Sequence, residues 1–348
     1  MPRWGLAQTH RCAVSIAARV VDGTMLILLT AVLAFAAGYA IRSGSICLVT
    51  AVRMLVVERK PARSWAFGFA AVASGTVIVP LVWALPETLA LAPALPATWL
   101  VVSGAVLFGL GARMNNGCVF GTLGQLTGGQ LQYVFTIIGL VAGAIATEIL
   151  MMPSTPPGIK SLLAEPDQVS IPLWLCFMAI CLAVLGRKIR QWIKEAQRPG
   201  VIRFGPYRAM LVVGVCGGLL YTIQNDWGYS ARLSSLVYGW ASRDSAITSL
   251  PINIAAMMLV VGGCVSAYRT SSFRLYCPSL REVISCSFGG AMMGSAVVLV
   301  PGGNSALLIY GMPSFSVHAF VGYAAMTTTL CLSFAPQGWA AFRVRNDT

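Results

Sequence analysis

The stretch that decides the fold is a ten-residue pattern that occurs twice. Gly38-Tyr-Ala-Ile-Arg-Ser-Gly-Ser-Ile-Cys47 recurs as Gly109-Leu-Gly-Ala-Arg-Met-Asn-Asn-Gly-Cys118, so both copies read Gly-x3-Arg-x4-Cys. Each copy joins a long apolar run to a shorter, glycine-rich apolar run. The pattern therefore predicts a long helix that ends in a turn, followed by a short helix with the cysteine near its first turn.

Composition places this repeat in a membrane protein. Of the 348 residues, 57% are hydrophobic and only 10% are charged, whereas a soluble domain carries roughly 25% charged residues. Apolar runs of about 20 residues, the length needed to cross the hydrocarbon core, recur along the whole chain. We therefore predict an all-α integral membrane protein in which residues 1–348 form a single membrane transport domain.

The apolar runs predict about nine transmembrane helices. They lie at 24–41, 65–85, 98–112, 131–151, 172–185, 207–223, 248–268, 284–300 and 317–335. Four glycine-rich stretches between them are shorter, at 43–57, 115–128, 227–242 and 302–312. Irregular backbone is tolerated at membrane depth only where protein or a water-filled cavity shields it, so we predict that these four are short re-entrant helices.

The first apolar run follows three arginines and ends in small residues, as a cleaved signal peptide does. We predict a retained helix instead, because the first copy of the repeat includes the C-terminal end of this run.

Positive charge predicts how the chain crosses the membrane. The formal net charge is +13, but the basic residues fall between apolar runs and form no stripe with aromatics, so we predict a lipid bilayer and no nucleic acid as partner. With re-entrant segments, 18 of the 24 Lys and Arg residues face the cytoplasm, as the positive-inside rule requires. The halves are then inverted pseudo-repeats at about 24–152 and 207–336, joined by a linker span and basic loop at about 171–206.

The cysteine turns have the chemistry of an anion site. A helix N-terminus attracts anions through its exposed N–H groups and its dipole, and a thiol there is drawn toward the thiolate form and can donate a weak hydrogen bond. Glycines let a substrate approach the backbone closely. The predicted substrate contacts of the first half are Cys47, Cys118, Gly44, Gly117, Arg42 and Arg113.

Two of these assignments have structural alternatives. Arg42 and Arg113 either attract the anion or anchor the helix ends at the membrane surface. Cys47 and Cys118 either contact the substrate or pack as small residues between helices.

The second half keeps the spacing of the repeat but changes its chemistry. Gly294-x3-Val298-x4-Gly303 has glycine where the first half has cysteine. Gly302, Gly303 and Asn304 suit a tight turn whose backbone N–H groups can receive an anion. We therefore add these three residues to the predicted substrate contacts, and we predict a fourth copy at 217–230.

These motifs resemble the YeeE/YedE family of sulfur-compound transporters. The resemblance rests on residues 42–47, on residues 109–128 and on the tract Val300-Pro-Gly-Gly-Asn-Ser-Ala-Leu-Leu-Ile-Tyr-Gly-Met-Pro, and it covers most of the chain. It implies a multi-span bundle whose re-entrant segments relay thiosulfate past three membrane cysteines. Cys47 and Cys118 match two of the three by motif, and Gly303 occupies the place of the third.

We therefore predict a permease of a bacterial inner membrane, not an enzyme, for a small sulfur-containing anion such as thiosulfate. An anion channel of similar architecture, a structural membrane subunit and a membrane sulfur transferase are the alternatives. A transferase needs a general base near its thiol, and neither of the two histidines lies in a cysteine repeat. The ten cysteines show no paired zinc motif, so we predict no metal or cofactor. The resemblance also implies a small cytoplasmic sulfur-carrier protein as a partner.

Overall fold

The fold is known from a computed structural model that describes residues 5–86, 88–151, 159–179, 183, 186, 204–224, 227 and 250–346, with side chains between residues 24 and 340. This part of the chain is helical and contains no β-strand. Its helices are α1 Gly5–Ser43, α2 Leu48–Val56, α3 Ala62–Ala84, α4 Trp99–Met114, α5 Val119–Leu126, α6 Gln132–Met151, α7 Ser170–Ala179, α8 Pro206–Ile223, α9 Leu250–Arg269, α10 Leu280–Leu299, α11 Gly303–Ala306, continued by a π-helix at Leu307–Gly311, and α12 Val317–Asn346.

The described residues contain seven helical stretches that are long and apolar enough to cross a membrane. The protein is therefore a multi-pass membrane protein. The helix α4 has 16 residues, which is about 24 Å at 1.5 Å per residue, and α7 is a shorter apolar helix. The sequence-based count of nine includes both of these as spans and stays a prediction.

Three of the four stretches predicted to be re-entrant contain a short helix, namely α2, α5 and α11 with its π-helical continuation. The fourth stretch, 227–242, lies outside the described residues except for Trp227, which is buried. That the short helices return to the side they entered from remains a prediction.

Glycines set the distance between the long helices. The helix α1 packs on α9, α3 on α8, α4 on α12, and α6 on α10. At each contact a glycine lies against a main-chain carbonyl of the partner helix, in the pairs Gly38 with Leu259, Gly214 with Ala70, Gly109 with Met326 and Gly294 with Leu140. A Cβ at any of these glycines would collide with the partner helix, so the close approach typical of membrane helices depends on them.

The loops gather at two faces of the helix bundle. One face carries the ends of α1, α4 and α9 and the starts of α3, α6 and α10, and two of its loops meet where Gln130 pairs with Tyr276. The loops that follow α3 and α6 meet at the opposite face, where Ala94 pairs with Ile159. The chain enters α2 and α5 from the ends of α1 and α4, which lie at the first face, and it enters α11 from the end of α10 at the opposite face.

Charge differs strongly between these faces. Eleven Lys and Arg side chains are described, and only Lys160 belongs to the opposite face. The other ten, Arg42, Arg53, Arg59, Lys60, Arg63, Arg113, Arg208, Arg269, Arg274 and Arg281, belong to the first face, which we call the basic face. By the positive-inside rule, we expect the basic face to lie in the cytoplasm.

We predict opposite accessibility for Lys60→Cys and Lys160→Cys, whose side chains are both exposed. A membrane-impermeant maleimide should label the first only in inverted vesicles and the second only in intact cells. Exposed cysteines Cys176, Cys264 and Cys277 are replaced by serine in the background, so that the new thiol dominates the signal. The reverse labelling pattern would show that the basic face lies outside.

Candidate functional site

The two cysteine turns share one backbone conformation. Each long helix ends in a Schellman motif, in which a left-handed residue and its successor bond back to the last helical carbonyls. The left-handed residues are Ser45, with φ 48°, and Asn116, with φ 53°. The bonds are Ser45 N–H to Arg42 O, Ile46 N–H to Ile41 O, Asn116 N–H to Arg113 O and Gly117 N–H to Ala112 O, all 3.1 to 3.3 Å long. The cysteine two residues after each left-handed residue is the N-cap of the short helix, as the repeat predicts.

The two cysteines lie together, between the N-termini of α2 and α5. The N–H of Leu48, the first residue of α2, donates a hydrogen bond to Cys118 Sγ at 3.2 Å, and the two thiols lie close enough to influence each other electrostatically. Both cysteines are buried and free of disulfides. A Cβ placed on Gly121 of α5 would lie only 2.6 Å from Cys47 Sγ, so this glycine makes room for the sulfur. We call Cys47 and Cys118 together the thiol pair.

A buried amide fixes the second turn. Asn115 Nδ2 donates to Gly117 O at 2.8 Å and to Thr122 Oγ1 at 3.0 Å, while Asn115 Oδ1 accepts from the Thr136 hydroxyl at 2.6 Å. A fully bonded buried network of this kind holds one geometry. The first turn has Gly44 at the equivalent position, where a Cβ would collide with Ala209 of α8. The structure therefore gives Gly44 a packing role and makes Gly117 part of a rigid turn.

Arg42 and Arg113 contact protein groups around the thiol pair. The Arg42 guanidinium donates to Gly124 O and to Ser272 O, both at 2.8 Å. It thereby places positive charge on the C-terminal carbonyls of α5, where the helix dipole favours a cation. The Arg113 guanidinium lies 4.5 Å from the centre of the Phe334 ring, a cation–π contact. At the basic face, Arg42 thus binds the short helix α5, and Arg113 contacts the long helix α12.

The glycine turn of the second half follows α10, which ends at the opposite face. Gly302 and Gly303 are left-handed, with φ 95° and 63°, which favours glycine at both positions. The Gly303 N–H donates to Val300 O at 3.1 Å, so the turn itself uses one of the N–H groups that were predicted to face an anion. Asn304 follows and is 1% exposed. The helix α11 contacts α5, the helix that begins after Cys118.

A mainly apolar cavity lies between α5 and this glycine-rich segment. Its walls include Phe120 and Leu123 of α5 and Ser305 and Ile309 of the segment, with further residues from α1, α8 and α9. The Tyr221 hydroxyl and Ser305 Oγ form a 3.1 Å hydrogen bond at its edge. The cavity therefore connects the surroundings of the two kinds of turn that the sequence analysis singled out.

Sequence reasoning missed several polar groups of the candidate site. In the sequence, Asn115 is an asparagine at a helix end with no sign of a wider role. Tyr221 and Tyr323 lie inside apolar runs, where a tyrosine gives no signal of function. The Tyr323 hydroxyl lies close enough to the Cys118 thiol for the two groups to interact electrostatically. Only the packing of distant helices brings these groups together.

The fold and site define a multi-pass helical membrane protein with a buried pair of thiols at two short-helix N-termini. A family described as sulphur transport matches residues 43–332, which is most of the chain. The protein therefore belongs to the YeeE/YedE sulphur transport family, which confirms the resemblance drawn from its motifs. The comparison with curated proteins gave no match. Family membership and the helical architecture support a sulfur-compound transporter rather than an enzyme.

We predict that Gly121→Ala displaces Cys47 and lowers uptake of the sulfur substrate severalfold. The added methyl would overlap Cys47 Sγ at 2.6 Å, and overpacking of this kind costs about 1–3 kcal/mol. Gly124→Ala is the matched control on the same helix, because its nearest neighbour is an Ile41 side-chain carbon at 3.6 Å. Uptake and melting temperature are measured for both. Equal uptake by the two variants would contradict a role for the exact spacing of the thiols.

Proposed function

We propose that this chain is an inner-membrane permease for a sulfur oxyanion such as thiosulfate, which passes the thiol pair on its way across the bilayer. The observation that supports this most is the meeting of Cys47 and Cys118 with two helix N-termini. Helix N-termini attract anions, and thiols supply polarizable sulfur and weak S–H donors for the sulfur end of the ion. The Leu48 N–H that now bonds Cys118 Sγ is then a donor available to the substrate.

The packing of the long helices supports inverted halves. We match the long helices of the two halves in chain order, α1 with α8, α3 with α9, α4 with α10, and α6 with α12. Under this matching the α1–α9 contact corresponds to the α8–α3 contact, and the α4–α12 contact corresponds to the α10–α6 contact. Each of these contacts has a glycine at its closest point. We propose that the halves are inverted pseudo-repeats and that the thiol turns and the glycine turn approach the membrane centre from opposite sides, as in inverted-repeat transporters.

The remaining predicted contacts fit this proposal in two groups. We propose that Arg42 and Arg113 attract the anion through their charge at the cytoplasmic side while their bonds hold the turns. Gly117, Gly302 and Gly303 have no side chain, so the substrate can approach the backbone at these points of its path. In this arrangement Gly303 replaces the third family cysteine because the left-handed backbone there favours glycine.

The alternatives are distinguishable on physical grounds. An open anion channel needs a continuous polar path, whereas both thiols are buried and the neighbouring cavity has mainly apolar walls, which favours a carrier. A sulfur transferase needs a general base beside its nucleophile, whereas the side chains that hold the second turn are Asn115, Thr122 and Thr136. Saturable uptake supports the carrier, and a linear flux up to high concentration supports the channel.

We predict that Cys47→Ser and Cys118→Ser each reduce uptake of ³⁵S-labelled thiosulfate by about tenfold or more, since each lost contact of about 1.4 kcal/mol changes affinity tenfold. Serine is close to cysteine in size, and at position 118 it keeps an acceptor for the Leu48 N–H, so folding should persist and the loss reports the sulfur itself. Proteoliposomes with purified protein, saturation curves and competition by sulfite, sulfate and selenium analogues measure the effect.

Cys264→Ser, at an exposed cysteine, is the matched control and should transport like the native protein. Native uptake by both thiol-pair variants would mean that these cysteines only pack, and the proposed path would be wrong.

A further inference from the structure

The side chain of Asn304 is buried without any hydrogen bond. It is 1% exposed, and neither its Nδ2 nor its Oδ1 has a partner. An asparagine amide can make four hydrogen bonds, and burying it without them is unfavourable unless another purpose maintains it. The same segment satisfies its other polar groups, since Ser305 bonds Tyr221.

A second unpartnered group comes from α12. The Tyr323 hydroxyl is buried and makes no hydrogen bond, and so is the Thr327 hydroxyl one turn further along the helix. Residues four apart lie on the same side of a helix, so these two hydroxyls form a polar line on an otherwise apolar surface. The neighbouring Gly322 lies against Val300 and Leu307, which places this part of α12 directly on the glycine-rich segment.

Asn304 lies near the start of α5, because its neighbour Ser305 lines the same cavity as Val119 and Phe120. The helix α11, which contains Asn304, contacts α5, and the Tyr323 hydroxyl is in electrostatic range of the Cys118 thiol. Asn304 Nδ2 and the Tyr323 hydroxyl are neutral hydrogen-bond donors. The arginines of the two cysteine repeats already contact protein groups, Arg42 through carbonyls and Arg113 through Phe334. Neutral donors bind an oxyanion without holding it as firmly as an ion pair would.

We propose that Asn304 and Tyr323 form the oxygen-binding half of the substrate site, opposite the thiol pair. The inference rests on the proposed function and adds specificity to it. The thiol pair faces the sulfur end of the ion, while Asn304 and Tyr323 donate hydrogen bonds to its oxygen atoms. The substrate class is then an anion with sulfur at one end and oxygen at the other, in preference to an oxygen-free sulfur anion such as hydrosulfide.

The geometry also explains why side chains, and not the backbone alone, supply the hydrogen-bond donors of this half of the site. The Gly303 N–H is used within its own turn, so the donors that remain free at this level include the Asn304 amide and the Tyr323 hydroxyl. Left-handed Gly302 and Gly303 allow the chain to turn sharply just before Asn304.

The test uses Tyr323→Phe and Asn304→Leu, which remove unpartnered polar atoms and nearly keep the side-chain volume. If these groups were only structural, the substitutions would leave melting temperature equal or higher and change nothing else. We expect equal or higher melting temperature together with an affinity for thiosulfate that is weaker by about tenfold or more for each variant. Inhibition of uptake by hydrosulfide should change by less than about twofold. Tyr268→Phe, which removes an exposed hydroxyl, is the matched control.

Binding and transport are measured separately, so that the two proposals can fail independently. Thiosulfate binding is read as thermal stabilisation of the detergent-solubilised full chain, and uptake is read in proteoliposomes. Thiosulfate that stabilises the native chain and both polar variants equally, or that stabilises none of them, would overturn the oxygen-binding half-site. Stabilisation of the native chain without any uptake would overturn the permease and leave the half-site standing.

Discussion

The structure depends on the way two long helices end inside a membrane. Backbone groups at a helix terminus have no partners of their own, and in hydrocarbon they must be satisfied within the protein. The Schellman turns at Ser45 and Asn116 bond the last carbonyls, and the next helix begins at once with a cysteine as N-cap. The N–H of Leu48 at the start of α2 donates to Cys118 Sγ, so the helix start holds the thiol. A thiol at this position can therefore be both buried and available.

The surrounding elements keep these turns in place. Arg42 joins the first turn to the C-terminus of α5 and to Ser272, and Asn115 holds the second turn from within. Glycine contacts bring the long helices close enough that the turns meet. The groups that hold the turns are backbone groups, hydroxyls, an amide and an aromatic ring. The two turns are therefore held with few charges, as a site that must release its anion requires.

The sequence could predict what lies within one repeat, and little that depends on distant contacts. Gly-x3-Arg-x4-Cys spans a helix end, a turn and an N-cap, so the position of Cys47 and Cys118 at short-helix starts followed from local rules. Ser272, 230 residues from Arg42, carried no signal, and the meeting of Tyr323 with Cys118 depends on how α12 packs. The glycine turn was predicted, but its use of the Gly303 N–H was not, because hydrogen bonds within a turn depend on dihedral angles. Of the fourth copy predicted at 217–230, the structure describes residues 217–224 and 227, and the rest of its turn lies outside the described residues.

The central claim is that Cys47 and Cys118 line one substrate site. Substrate protection tests it most directly, through the rate at which a small thiol reagent modifies each cysteine, followed by mass spectrometry of the peptides. We expect saturating thiosulfate to slow modification of Cys47 and Cys118 together, by about tenfold, while the exposed Cys264 and Cys277 react at unchanged rates. Unchanged modification rates at both buried cysteines, in protein that takes up thiosulfate, would contradict the account.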